Sequence, residues 1–197
     1  MNKNRQAGIQ VVQLISGGNT LELLHDSAET NDGVIGVNMF NGTVMTNNGN
    51  IRVNGGRVDT NNGRIRENCD VGMIITNRGR ISANNGDVGT NYGKVTNTMS
   101  GVVDVNAAGG TVICGTVREM CGGTALNCAV TKMCGGTARG EATVIGRYEG
   151  GRVSTNIPRE SITLAEGLTD EDIEWVAPLR SEKNVKRLPA SASVEAL

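Results

Sequence analysis

A seven-residue beat constrains this chain more than any other feature. A Gly-x-aliphatic unit recurs at Gly42/Val44, Gly49/Ile51, Gly56/Val58, Gly63/Ile65, Gly72/Ile74, Gly79/Ile81, Gly86/Val88, Gly93/Val95, Gly101/Val103, Gly110/Val112 and Gly115/Val117. Asn stands two places before the glycine at Asn47, Asn54, Asn61, Asn77, Asn84 and Asn91, with Asp70 in its place once, so the unit reads Asn-x-Gly-x-(Ile/Val)-x-x. Asn and Gly tolerate positive φ, and Asn bonds its side chain to nearby backbone. The β-branched residue favours extended backbone with its side chain turned inward. Seven is also the coiled-coil period, but a Gly in every heptad costs a helix roughly 1 kcal/mol each time, which excludes a long helix.

A strand of three or four residues is not stable alone, so the units must stack and pair with the coils above and below. The sequence therefore predicts an all-β fold, a parallel β-solenoid (β-helix). A 14-residue modulation, Thr46-Asn47, Thr60-Asn61, Thr76-Asn77 and Thr90-Asn91, points to two heptads per coil. A triangular coil of three heptads, or an intertwined trimer in which each chain supplies one face, also fits the period. Residues 150–156, Gly-Gly-Arg-Val-Ser-Thr-Asn, closely repeat residues 55–61, so the solenoid is expected over 42–156. At two heptads per coil that is about eight coils, roughly 40 Å long at about 4.8 Å per coil.

Composition agrees. One Phe, two Tyr and one Trp leave no aromatic core, while 28 Gly supply turns. The formal charge of −1, from 19 basic and 20 acidic residues, gives no global field toward nucleic acid or an anionic membrane. The sequence offers no membrane span, and its start, Met-Asn-Lys-Asn-Arg-Gln, does not lead into the apolar run of a signal peptide; a virion or cytoplasmic location is expected. Five cysteines without that signal argue for reduced thiols.

The flanks read as caps. Residues 1–41 form an N-terminal cap or attachment segment, with a β-rich run at Ile9–Ile15, a Gly17-Gly18-Asn19 turn and a second apolar stretch at Leu21–Leu24. Residues 157–197 hold a short helix, with Thr169 as N-cap and acids in its first turn, which ends before Pro178, and then a charged tail from Arg180 to Leu197. Trp175 is expected to dock.

Candidate sites are few. Cys114, Cys121, Cys128 and Cys134 are spaced by seven, seven and six; a buried ladder of small hydrophobes explains them, with a metal site as the sharper alternative, although no Cys-x-x-Cys pair exists. Arg52, Arg57, Arg64, Arg66, Arg78, Arg80 and Lys94 flank the inward aliphatics and should project outward, with Glu67, Asp59, Asp70 and Asp87 diluting the stripe. A solvated face accounts for them, and a polyanion-binding surface is the alternative. The sole histidine, His25, precedes the repeats, so the solenoid offers no histidine base. Paired carboxylates could come from Asp59, Asp70, Asp87 or Asp104, but no spacing selects a pair. No catalytic residue, no cofactor and no enzyme activity is expected.

The repeat over 42–156 resembles the β-solenoid shafts and spikes of phage tails and, secondly, bactofilin-like cytoskeletal polymers. The first resemblance implies a structural virion component, a rigid spacer attached through its flanks and forming a homo-oligomer, possibly a trimer, with other assembly proteins. The second implies end-to-end polymers. A carbohydrate-binding or carbohydrate-active β-helix is a third reading, with a glycan as partner.

Overall fold

The computed structural model describes residues 11–15, 18–97, 100–140, 144–155 and 164–175. The first strands in chain order are β1 (Val11–Ile15), β2 (Thr20–Leu24), β3 (Ser27–Asn31), β4 (Val34–Asn38), β5 (Thr43–Asn47), β6 (Asn50–Asn54) and β7 (Arg57–Asn61). They are followed by β8 (Arg64–Asn68), β9 (Met73–Asn77), β10 (Arg80–Asn84), β11 (Asp87–Asn91), β12 (Lys94–Asn97), β13 (Val102–Asn106) and β14 (Thr111–Ile113). The last are β15 (Thr116–Met120), β16 (Thr124–Leu126), β17 (Ala129–Met133), β18 (Thr137–Arg139), β19 (Val144–Tyr148), β20 (Arg152–Thr155) and β21 (Ile173–Trp175).

Odd-numbered strands β1 to β19 form one ten-stranded sheet, sheet I; even-numbered strands β2 to β20, with β21 added at the edge, form an eleven-stranded sheet II. Every pairing is parallel, so each coil is one strand, a corner, a second strand and a corner back. The chain is thus a two-sheet parallel β-solenoid with two heptads per coil. The triangular coil and the trimer with one face per chain are overturned, because one chain supplies both sheets.

Most strands repeat one burial pattern: the second residue and the fifth are buried, and the first and third face outward. The second position carries the aliphatic, giving columns such as Val44, Val58, Ile74 and Val88 in sheet I and Ile51, Ile65, Ile81 and Val95 in sheet II, all at most 1% exposed. The fifth position carries Asn. Eleven asparagines, from Asn31 to Asn106, are buried in two columns. In sheet I, Asn47 Nδ2 donates to Asn61 Oδ1 (2.6 Å), Asn61 to Asn77 (2.7 Å), Asn77 to Asn91 (2.8 Å) and Asn91 to Asn106 (2.9 Å). In sheet II the chain of donors runs from Asn38 through Asn54, Asn68 and Asn84 to Asn97, at 2.7 to 2.8 Å. All point the same way along the axis, so amide dipoles reinforce one another in a low-dielectric interior. Spare Nδ2 protons go to corner carbonyls, as from Asn54 to Gly56 O at 3.1 Å. The sheet II column begins on Leu24, which has no amide to donate, and Asn38 Oδ1 is left buried without a partner.

The side-chain-to-backbone turn bonds expected of Asn are present, as where Gly93 N–H donates to Asn91 Oδ1 at 3.1 Å, but the positive φ expected of the repeat is not. The asparagines end strands with side chains inside the coil, and the glycines of the heptad from Gly42 to Gly101 do not adopt left-handed φ. They are glycines because of close approach. A Cβ on Gly63 would sit inside van der Waals contact of Gly49 O, and one on Gly56 would meet the carbonyls of Met39 and Gly42 and the amide of Asn38.

Among the described residues the sheets run from β1 and show no break at residue 42; Asn31-Asp32-Gly33-Val34-Ile35 is itself a complete unit on β3 and β4. At the other end the chain returns to the stack as expected through β20, Arg152–Thr155, while Asn156 lies outside the described residues. The helix expected after Thr169 is replaced by a single 3-10 turn, Asp170–Asp172, followed by β21, which pairs with β20. Thr169 does start the turn, donating from N and Oγ1 to Asp172 Oδ2 at 2.9 and 2.7 Å. The open backbone edge of β20 and burial of Ile173 outweigh local helix propensity. Trp175 remains 36% exposed instead of docking. The tail from Arg180 onward lies outside the described residues. Among the described residues no helix is long and apolar enough to cross a membrane.

Candidate functional site

Because positions one and three of each strand face outward, those residues alone decide the character of each face. Sheet I mixes signs. Arg57 pairs with Asp59 within β7 (2.6 Å), Arg118 reaches Asp104 (2.7 Å), and Lys132 lies between Glu119 (3.4 Å) and Glu149 (3.2 Å). Glu149, held below the usual carboxylate range chiefly by its hydrogen bond from Lys132, in turn raises the Lys132 ammonium.

Sheet II differs. Strands β6, β8, β10 and β12 present Arg52, Arg64, Arg66, Arg80 and Lys94, all exposed. Register places Arg64, Arg80 and Lys94 side by side in one column and Arg52 beside Arg66 in the next. Of the four acids expected to dilute the stripe, only Glu67 lies on this face. Asp59 and Asp87 belong to β7 and β11 of sheet I, and Asp70 lies in the corner after β8. Glu67 is half-buried and near enough to the adjoining corner to help raise the Cys69 thiol, after burial itself. Arg57 leaves the set for sheet I, and Arg78 sits in the opposite corner, 5.6 Å over the Tyr92 ring. A shallow groove of about 320 Å³ lies on the cationic face, lined by Val34, Asn50, Ile51, Arg52, Arg64 and Arg66.

The four spaced cysteines are not brought together. Cys114 and Cys128 flank the corners leading from sheet II to sheet I, and Cys121 and Cys134 those leading back. Nor do they form the buried ladder expected: only Cys128 is buried, while Cys114 and Cys121 are exposed and Cys134 is half-buried. The interior column beside them is Met120 and Met133, which take the Asn position. Cys128 donates toward the carbonyls of Cys114 and Leu126, both at 3.3 Å, and burial pushes its thiol up to about 11. Burial also raises the Cys134 thiol, helped by its hydrogen bond to Glu149. Thiolates are what bind metals, so both shifts oppose that role. Among the described residues no group of three or more His, Cys, Asp or Glu could hold a metal ion.

His25 is exposed in the corner between β2 and β3, away from the cationic face. Of the candidate carboxylates, Asp59 and Asp104 are engaged in ion pairs on sheet I. No family model, curated protein or solved structure matches the chain. The class rests on geometry alone: a two-sheet parallel β-solenoid with paired asparagine columns and one cationic face.

Proposed function

We propose that this protein is a structural rod, a rigid spacer in a larger assembly of the virion kind, such as a tail, spike or fibre. One observation carries the reading. The in-register ladders run from β1 to β19 and from β2 to β20, with the asparagine columns continuous through more than half of that length. Each coil contacts mainly its neighbours, so stiffness and length follow from coil number. Such a body transmits distance and direction, and its specific contacts belong at its ends and faces.

Deletion of residues 57–86 tests the proposal. It removes β7 to β10, two coils, and joins Gly56 to Asp87, so one short Gly-ended corner replaces another. A spacer should still fold and enter its assembly, with the particle distance it spans shortened by about 10 Å in electron micrographs. An unchanged particle dimension, or a purified chain that stays monomeric and joins no particle, would remove the reading. End-to-end filaments would point instead to a cytoskeletal polymer.

A further inference from the structure

We propose that the cationic face of sheet II binds a linear acidic polysaccharide, through carboxylate or sulfate groups lying across β6, β8, β10 and β12. The inference stands apart from the rod proposal. Five exposed cations, Arg52, Arg64, Arg66, Arg80 and Lys94, occupy four adjacent strands that carry a single acid, the half-buried Glu67. No ion pair joins any of the five to an acid among the described residues, whereas the described cations of sheet I, Arg57, Arg118, Lys132 and Arg147, are all paired. Parallel register fixes the array: neighbours in a column stand about 4.8 Å apart, and the two columns about 7 Å apart along the strands. Keeping like charges at that spacing is unfavourable without an anion to offset it.

The form of the face selects the partner. Arg forks grip carboxylate and sulfate oxygens in pairs. The groove beside Asn50, Arg52, Arg64 and Arg66 opens at one end of the array, and Arg80 and Lys94 continue the cationic column beyond it. Single-stranded nucleic acid needs aromatic platforms, and the four strands carry none; Phe40 and Tyr92 lie in corners, Tyr92 with Arg78 5.6 Å over its ring. Duplex binding usually draws on six to ten phosphate contacts, more than this patch of roughly 14 by 7 Å provides on a chain of net charge −1. Scarce aromatics count against neutral sugars, which are held by stacking, but not against acidic ones held by charge.

The test uses the full chain with three probes: a heparin oligosaccharide, an oligogalacturonate and a short DNA duplex, titrated at low and moderate salt. Either saccharide should bind more tightly than the duplex; binding of the oligogalacturonate shows that carboxylates suffice, and binding of heparin alone shows that sulfates are required. Arg64→Gln/Arg80→Gln/Lys94→Gln should weaken that binding at least about tenfold and flatten its salt dependence. Arg57→Gln/Arg118→Gln/Arg147→Gln, the same charge change on sheet I, should leave it within about twofold. Thermal melts check that both variants fold. On the unaltered chain, bound saccharide should protect Lys94, but not Lys132, from acetylation. Absence of binding to both saccharides, tighter binding to the duplex, equal loss in the two variants, or no protection of Lys94 would each overturn the proposal.

Discussion

The coils before residue 107 and those after it close the same cross-section in two different ways. In the first stretch the fifth strand position is Asn, and between Gly18 and Gly109 no described residue has positive φ. In the second, Met120 and Met133 take that position in sheet I, β14, β16 and β18 shorten to three residues, and left-handed backbone appears at Gly109, Cys114, Gly115, Gly123, Asn127, Gly136, Gly140, Gly150 and Gly151. Up to Asn91 the strand-end amides bond corner carbonyls and the described corners keep ordinary φ, so their Gly is required for space alone. Left-handed backbone first enters in corners that amides still bond, at Gly109 and at Cys114, whose carbonyl accepts from Asn97 Nδ2 at 2.8 Å, and farther on larger side chains fill the interior. Cys128 makes the exchange explicit. Its register follows Gly86, Gly101 and Gly115, and a Cβ on Gly115 would collide with Asn97, whereas Cys128 has no Asn beneath it and buries its thiol.

The largest test of this contrast is Gly63→Ala. Its Cβ has no room against Gly49 O, so the substitution should cost about 4 kcal/mol in chemical denaturation. Gly55→Ala, whose nearest contact would be an ordinary 3.5 Å, should change stability by less than about 0.5 kcal/mol. Equal costs would mean that helix-like loss of glycine freedom, not crowding, governs the corners.

Asn61→Leu should come next. It keeps the branched shape but strips Asn47 Nδ2 of its acceptor and Asn77 Oδ1 of its donor, at about 3 kcal/mol. Met120→Leu in the same column should cost under about 1.5 kcal/mol, because nothing there depends on a hydrogen bond.

The thiols give a smaller, pH-resolved effect. At pH 8 an alkylating reagent followed by mass spectrometry should label Cys114 and Cys121 quickly and leave Cys128 unmodified until the chain unfolds. Burial pushes the folded Cys128 thiol up from its ordinary 9.0 to about 11, so its contribution to stability is complete below pH 9 and declines as pH rises toward 11. Smallest of all, Asp104→Asn, which breaks an exposed pair with Arg118, should shift stability by less than about 0.5 kcal/mol.

The heptad made the solenoid and its two-strand coil legible, because period and β-branched identity are properties of the chain itself. The role of Asn was not legible in the same way. Asn in a turn and Asn at a strand end differ by one or two residues, and only the stacking of coils turns the second into a column. The unit at Asn31-Asp32-Gly33-Val34-Ile35 carries the full signature, so the sequence itself extends the stack ahead of Gly42. The cationic face needed the fold as well. Along the chain Asp59 and Asp87 lie among the arginines, and only alternation between two sheets sorts them onto opposite sides. The final strand, β21, has the sequence signature of a helix start in its acidic lead-in, while the edge that captures it lies about twenty residues earlier and is invisible to local propensity.

Hydrogen exchange of the asparagine side-chain amides, followed by nuclear magnetic resonance, tests the central claim most directly. The eleven buried asparagines from Asn31 to Asn106 should exchange slowly, those in mid-column such as Asn61 and Asn68 opening only with global unfolding, while exposed Asn41 exchanges at the rate of free amide. Rapid exchange throughout the columns would contradict the account, since coils that stack without them would not be the rod described.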